Sequence, residues 1–408
     1  MKVWLKVLIG ILLGILLGVL LPIHSQAQNV FEYLSKLFIQ IGRFMVFPLV
    51  FFSVLMGTYE LKRDGKMFSV YWKIFVFLIA STIVLVIVGI LTVLVFSPER
   101  VPIIAEEEKA IRLYSVGEVF LHIFPKNMFK IFVEPGNFIL PLVALAFFLG
   151  VNLDFDKQLT RPAIQVFDSI SRIFYHANSL IVELFGIAVI VIVTYRTMYI
   201  RSINMDIFKQ LIIIIGFDLI IVIFGIFPGV LHLLGDKINP YRWLYATTAS
   251  ALTALVTGDE YVSLGMLVKH GKESMKLKRE VSQAVYSVFI IFGRAGTAMV
   301  TSIAFILILR SYSSLELTFM QILWVGVFSV VTSFFLINVP GLGVYVSLSL
   351  LSGYYGRGIE NGYLILKPVM PLLVSAGVLV DIVTASLVAY LIGKMEKLAE
   401  GYEIDYFI

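Results

Sequence analysis

Charged residues that could do chemistry stand inside apolar stretches of this chain. Arg294 lies between Gly293 and Ala295, within a run from Ala284 to Leu309. Asp381 is flanked by Val380, Ile382 and Val383 in the run from Tyr363 to Ile392. Asp259 and Glu260 follow Thr257-Gly258 near the middle of Trp243 to Val268. A charge in the middle of a membrane helix costs about 2.5–3.5 kcal/mol even on the mild insertion scale, so such residues are expected to pair or to bind something. Arg294 reads as a ligand for an anionic group, or as one half of a structural pair with Asp381; both can hold in different states. Asp381 reads as a proton carrier or a ligand for a solute amine, or simply as the counter-charge of Arg294. Asp259 and Glu260 read as cation or amine ligands, or as residues at an aqueous mouth. Glu183 and Asp218 sit in other apolar runs and are expected to make interhelix or interface contacts. Lys367, beside Pro368, is expected to snorkel.

Other chemistries find no support. The five His residues show no metal-ligand spacing and Cys is absent, so neither a zinc site nor a thiol nucleophile is expected. No phosphate-binding Gly-Lys loop occurs, so ATP is not expected to drive the protein. No Ser/His or paired-Asp arrangement suggests an intramembrane enzyme. No cofactor is expected.

The elements that carry these residues follow from composition. Of 408 residues, 59% are hydrophobic and only 14% charged, against roughly 25% charged in a soluble domain. Apolar runs recur along the whole length, which excludes a soluble enzyme and a single-pass receptor and predicts a polytopic membrane protein. The net charge of +5 reflects basic residues beside apolar runs, so lipid and not nucleic acid is the expected partner. Lys2 and Lys6 precede an apolar run, Val7 to Leu21, as in a secretory signal with Ser25-Gln26-Ala27 as its cleavage site. A first membrane helix is preferred, and Gly10, Gly14 and Gly18 then clear a stripe for close packing. Further runs cover Leu37 to Tyr59, Val70 to Phe96, Phe138 to Val151, Leu180 to Thr194 and Leu211 to Leu234. Lys62, Arg63, Lys66, Lys157 and Arg161 alternate with the acidic Glu106-Glu107-Glu108 loop, which places the N-terminus in the cytoplasm. Arg196 and Arg201 break that alternation.

The second half is organised differently. The polar Thr257-Gly258-Asp259-Glu260 suits the tip of a re-entrant hairpin, since irregular backbone is tolerated where protein or a water-filled cavity surrounds it. Gly293-Arg294-Ala295-Gly296-Thr297 interrupts the next helix. Asn338-Val339-Pro340-Gly341-Leu342-Gly343 breaks the run Phe319 to Leu351. Paired interruptions in corresponding positions point to the core of a secondary transporter.

This arrangement resembles the dicarboxylate/amino acid:cation symporter family, the glutamate transporter homologues. The residues that carry the resemblance are Val339-Pro340-Gly341-Leu342-Gly343, Gly296-Thr297-Ala298, Thr257-Gly258, the Ser81-Thr82 pair, Phe47-Pro48-Leu49-Val50, Leu140-Pro141 and Gly150. The resemblance implies an all-α polytopic membrane protein with eight transmembrane helices and two re-entrant helical hairpins, an elevator-type transporter fold assembled as a homotrimer. Its divisions would be 1–69 (scaffold helices), 70–135 (third helix and extracellular loop), 136–240 (helices four to six), 241–398 (transport core) and 399–408 (cytoplasmic tail). It implies a place in the cell (inner) membrane with both termini cytoplasmic. It also implies an acidic amino acid or dicarboxylate as solute, with Na⁺ or H⁺ as coupling ion.

The sequence departs from that family where the family keeps its charges. The Asn and Asp of the family's interrupted-helix motif are Gly293 and Ala295 here. Four polar positions of its last helix become Val374, Gly377, Asp381 and Ala385, so the solute-gripping Arg is Gly377. The expected function is therefore a divergent symporter for a small organic solute, an amino acid or carboxylate, with altered coupling (proton or none). The alternative is a channel-like or non-coupled protein that kept the scaffold. The solute-binding set expected is Thr257, Gly258, Asp259, Arg294, Thr297, Pro340, Gly341, Gly343, Gly377 and Asp381. The ion-coupling set is Ser81, Thr82, Gly293 and Asp381.

Overall fold

A computed structural model describes residues 2–23, 25–102, 123–133, 138–235, 239–313, 316–336 and 340–399. The acidic Glu106–Glu108 loop, Pro135-Gly136, Asn338-Val339 and the tail from 400 lie outside the described residues. Among those described, regular structure is helical apart from one isolated bridge between Leu277 and Ala399.

Seven described stretches are long and apolar enough to cross a membrane: Val3–Leu20, Gln26–Arg63, Met67–Phe96, Gln158–Arg201, Met205–Leu234, Arg279–Tyr312 and Gly362–Met395. The eighth crossing that the resemblance implies would fall on Leu140–Asn152, a helix of 13 residues. It rises about 20 Å, less than the ~30 Å hydrocarbon core. The helix Lys157–Arg201 has 45 residues and a length of about 68 Å. Only its later part, Leu180 to Thr194, stands out as an apolar run. The earlier half is polar enough to look like a loop, yet Asp156 caps it by accepting from Gln158 N and Leu159 N at 3.0 and 3.2 Å.

We label the principal helices α1 (Val3–Leu20), α2 (Ser25–Phe44), α3 (Val46–Arg63), α4 (Met67–Phe96), α5 (Leu140–Asn152), α6 (Lys157–Arg201), α7 (Lys209–Ile220) and α8 (Phe227–Leu234). They continue as α9 (Pro240–Thr257), α10 (Glu260–Glu273), α11 (Arg279–Phe292), α12 (Ala295–Tyr312), α13 (Phe319–Ser333), α14 (Gly343–Tyr355) and α15 (Met370–Met395).

The glycine stripe of α1 lies against α6. A Cβ on Gly10, Gly14 or Gly18 would come within 2.7, 2.7 and 2.5 Å of Gly186 O, Val193 Cβ and Thr197 Cβ. Gly14 also faces Ile190 O, which a Cβ would meet at 2.8 Å; backbone cannot yield as a flexible side chain can, so Gly14→Leu is expected to cost about 1–3 kcal/mol by forcing the helices apart. A lowered thermal unfolding midpoint of the purified protein would show it; an unchanged midpoint would mean that α1 is loosely docked. Arg201, one of the two basic residues that break the charge alternation, caps α1. Its Nη1 donates to Gly18 O, Val19 O and Leu21 O at 2.8, 3.0 and 3.1 Å.

The centre of the fold is built from the second half of the chain. In the most apolar 18-residue stretch of the Arg279–Tyr312 and Gly362–Met395 spans 94% of residues are buried, whereas in Val3–Leu20 28% are. Outer helices therefore present apolar side chains outward, and the inner ones meet only protein. Helix α9 ends at Gly258, whose φ of +60° closes it in the left-handed region. Asp259 then caps α10 by accepting from Val262 N at 3.0 Å. Helices α11 and α12 are parted at Gly293-Arg294, as the sequence predicts. Helices α13 and α14 are joined through Pro340-Gly341, with Gly341 at φ +74°.

The end of α15 is clipped to the start of α4. Glu396 ion-pairs with Lys73 and accepts from Ser69 Oγ at 2.5 Å, while Lys66 Nζ donates to Glu396 O at 2.6 Å. Burial alone would raise this carboxyl. The hydrogen bonds from Lys73 and Ser69, and the charges of Lys73 and Lys66, outweigh it and hold the carboxyl below its usual value of 4.5. A depressed folded value means stability that is present above the unfolded value and is lost as pH falls through the folded one. Glu396→Gln is thus expected to flatten the acid limb of the stability curve below about pH 4.5, read by thermal unfolding across pH. An unaltered acid limb would assign that loss to other carboxylates.

Candidate functional site

The two helix breaks and the interrupted helix converge. Gly341 at the α13–α14 turn lies against the α9–α10 turn: a Cβ there would stand 3.2 Å from both Asp259 Oδ2 and Gly258 O. Gly341 N donates to Glu260 Oε2 at 2.8 Å. Arg294, at the head of α12, ion-pairs with Glu260. Arg294 and Glu260 are 1% exposed and Asp259 2%. The two acids are therefore interior residues and not the rim of an aqueous mouth.

Asp381 is held differently from expectation. Its Oδ1 accepts from Gly296 N at 2.6 Å and Thr297 N at 3.3 Å, and its Oδ2 accepts from Thr297 Oγ1 at 2.6 Å. The simplest pairing foreseen, Arg294 with Asp381, is not the one formed. Arg294 reaches the acid on the hairpin-like turn, and Asp381 caps the free N–H groups at the start of α12. All three of its contacts are donors, an arrangement suited to an ionised carboxylate.

The polar capacity of Arg294 is not used up. Its Nε and Nη2 are buried and donate to nothing among the described residues. A guanidinium has five N–H donors in a rigid fork. One edge faces Glu260, and Nε and Nη2 are left as unsatisfied buried donors.

Two further guanidinium groups enter from outside the centre, and both were missed in the sequence. Arg43, in the last turn of α2, donates through Nε to Asp259 Oδ2 at 2.9 Å and through Nη2 to Pro340 O at 3.3 Å. It touches both turns at once. Arg196 of α6 donates to Thr257 O at 2.7 Å and also bonds Ser375 Oγ of α15. For Arg43 the signal was its place inside the apolar run Leu37 to Tyr59, where an Arg is functional by default. Arg196 was visible only as an exception to the charge alternation. Together Arg43, Arg196 and Arg294 balance Asp259, Glu260 and Asp381 in formal charge.

The remaining expected residues are placed as follows. Thr257 Oγ1 returns to Thr253 O at 2.8 Å and accepts from Asp259 N at 3.2 Å. Gly343 and Gly377 both approach Thr297; a Cβ would stand 3.0 Å from Thr297 Cγ2 and 3.1 Å from Thr297 Cα respectively. A longer side chain at Gly377 would press on Thr297, so α15 and α12 are in direct contact there. Gly293 N ends α11 on Phe289 O at 2.7 Å. Ser81 and Thr82 return their hydroxyls to Leu78 O at 3.1 and 2.9 Å. Glu183 pairs with Lys269 at 3.0 Å, Asp218 with Thr92, and Lys367 is exposed.

The match to known proteins runs along the same elements. The family described as the sodium:dicarboxylate symporter family is matched over residues 3–395. The chain belongs to that family. A proton/sodium-glutamate symport protein of Bacillus subtilis (strain 168) is 23% identical over 332 residues, covering 78% of this chain and 75% of the relative. As a member of a symporter family, the protein is a membrane transporter and not an enzyme.

Proposed function

We propose that this symporter-family member is a secondary active transporter for a small organic solute that carries a carboxylate, such as an amino acid or a carboxylic acid. The observation that carries the reading is Arg294, a buried guanidinium with Nε and Nη2 unfilled, set between two helix turns. A carboxylate is the group that fits such a fork, because it can accept two parallel N–H bonds. Asp259 and Glu260 would meet a solute amine, and Thr297, near the head of the same helix as Arg294, would contact the solute. Residues 241–398 would act as the moving core, with α9–α10 and α13–α14 as re-entrant hairpins, in an elevator motion against the remaining helices. Assembly as a homotrimer in the cell membrane, with cytoplasmic termini, completes the reading.

Coupling is proposed to be altered. Sodium sites need several oxygen ligands, and Ala295, Val374 and Ala385 offer no side-chain oxygen at three of the family's positions. Asp381 is occupied by α12. Ser81, Thr82 and the Gly293 region remain as the candidate ion ligands.

The test is a thermal-stability screen of the purified protein against amino acids and dicarboxylates, with and without Na⁺, across pH. A ligand at a hundred times its Kd stabilises the native state by about 2.7 kcal/mol. A carboxylate solute is expected to stabilise without Na⁺. Stabilisation by an acidic amino acid only when Na⁺ is present would overturn the coupling assignment.

A further inference from the structure

Asp218 lies outside the site described above and has no task there. It is fully buried on α7, within the Met205–Leu234 span. Its Oδ2 meets Thr92 Oγ1 of α4 at 2.8 Å, and its Oδ1 is buried without a hydrogen-bond partner. The elements packed on α7 carry Lys73 on α4, Arg310 and Tyr312 on α12, and Asp381, Tyr390 and Lys394 on α15; Asp206 and Lys209 lie at its own start. None of these pairs with Asp218 among the described residues. An anionic carboxylate in such a place would be an unpaired charge in a low-dielectric span, which is costly.

The count of hydrogens points the same way. Thr92 Oγ1 also lies 3.1 Å from Val88 O and 3.0 Å from Gly89 O of its own helix. One hydroxyl hydrogen faces three oxygens. Where Thr92 donates back to its helix, as buried helical Thr does, the 2.8 Å contact needs a hydrogen from Asp218. A protonated carboxyl supplies it, donating to Thr92 Oγ1.

The surroundings suit a proton that comes and goes. Directly after Asp218 the helix widens into a π turn, Ile221–Ile226, a distortion common at functional sites. A polar pocket of about 250 Å³, lined by Leu94, Ser97, Arg100, Arg310, Glu316 and Leu317, begins within two turns of Thr92 on α4. One turn the other way, Gly89 packs on α12, where a Cβ would stand 2.9 Å from Met299 Cγ and 3.0 Å from Met299 O. Helix α12 is the one that Arg294 precedes and that carries Thr297 in its first turn. The stretch Gly89 to Thr92 of α4 thus lies between the buried acid and the helix that carries Thr297.

We propose that Asp218 and Thr92 form a proton-binding site, separate from the solute site, that holds a proton at neutral pH. That this proton is the coupling ion rests on the transporter reading; the existence of the site does not. The direct test is infrared difference spectroscopy of the full-length protein in lipid nanodiscs. A protonated-carboxyl carbonyl band is expected at neutral pH, absent in Asp218→Asn and moved to higher frequency in Thr92→Val, which keeps the acid but removes its partner. A band set unchanged by both variants would overturn the proposal. The second arm uses proteoliposomes with a trapped pH dye and a panel of amino acids and dicarboxylates. Wild type is expected to acidify the lumen as solute enters, and Asp218→Asn to admit solute without acidification. Undiminished acidification in Asp218→Asn would overturn the coupling role. Absence of any solute uptake by wild type would sink the transporter reading while the infrared result stands.

Discussion

Replacing Arg294 with Met is expected to abolish solute binding and to cost about 3–5 kcal/mol of stability, because it leaves a buried acid without its partner. The partner is Glu260, joined to Arg294 by an ion pair and to Gly341 N by a 2.8 Å hydrogen bond. Stability and binding can be separated. The double variant Arg294→Met with Glu260→Gln removes both charges at nearly constant volume, and such replacements of buried pairs are often neutral or stabilising. Its unfolding midpoint should recover, while the stabilisation that solute confers on wild type stays lost. Recovery of both would reduce Arg294 to a structural residue.

Asp381→Ala is expected to be nearly as damaging, for another reason. It strips an acceptor from Gly296 N, Thr297 N and Thr297 Oγ1 together. Each buried donor left unmade costs about 1–3 kcal/mol, and the start of α12 loses the anion that its dipole favours. Asp381→Asn keeps one carbonyl oxygen for Gly296 N and lets the Thr297 hydroxyl reverse, so its loss should be about 1 kcal/mol. Hydrogen exchange at Gly296 and Thr297 reports this directly. Fast exchange in the Ala variant and near-normal protection in the Asn variant are expected. Equal protection in both would show that Asp381 does not cap α12.

The contrast between these residues shows what the sequence could reveal. The positions of Arg294, Asp381, Asp259 and Glu260 were legible because a charge in an apolar run is costly wherever the run folds. The helix breaks at Gly258 and Gly293 were legible from local chemistry, as was the glycine stripe of α1. Choice of partner was not. Whether Arg294 meets Asp381 or Glu260 depends on how the α9–α10 turn docks on α12, and no spacing along the chain encodes it. Arg43 and Arg196 lie 216 residues from Asp259 and 179 from Ser375. Long-range contacts of that kind arise from packing alone. The 45-residue α6 was cut short for a related reason: its polar first half is helical through capping and tertiary contact, not through an apolar run.

The central claim is that a carboxylate solute is held by Arg294 and carried without sodium. Uptake of labelled amino acids and dicarboxylates into proteoliposomes, driven in turn by a proton gradient and by a sodium gradient, tests it most directly. The expected result is saturable uptake of a carboxylate solute under the proton gradient, none added by sodium, and none in the folded Arg294→Met, Glu260→Gln double variant. Uptake that requires sodium, or that survives in the double variant, would contradict it.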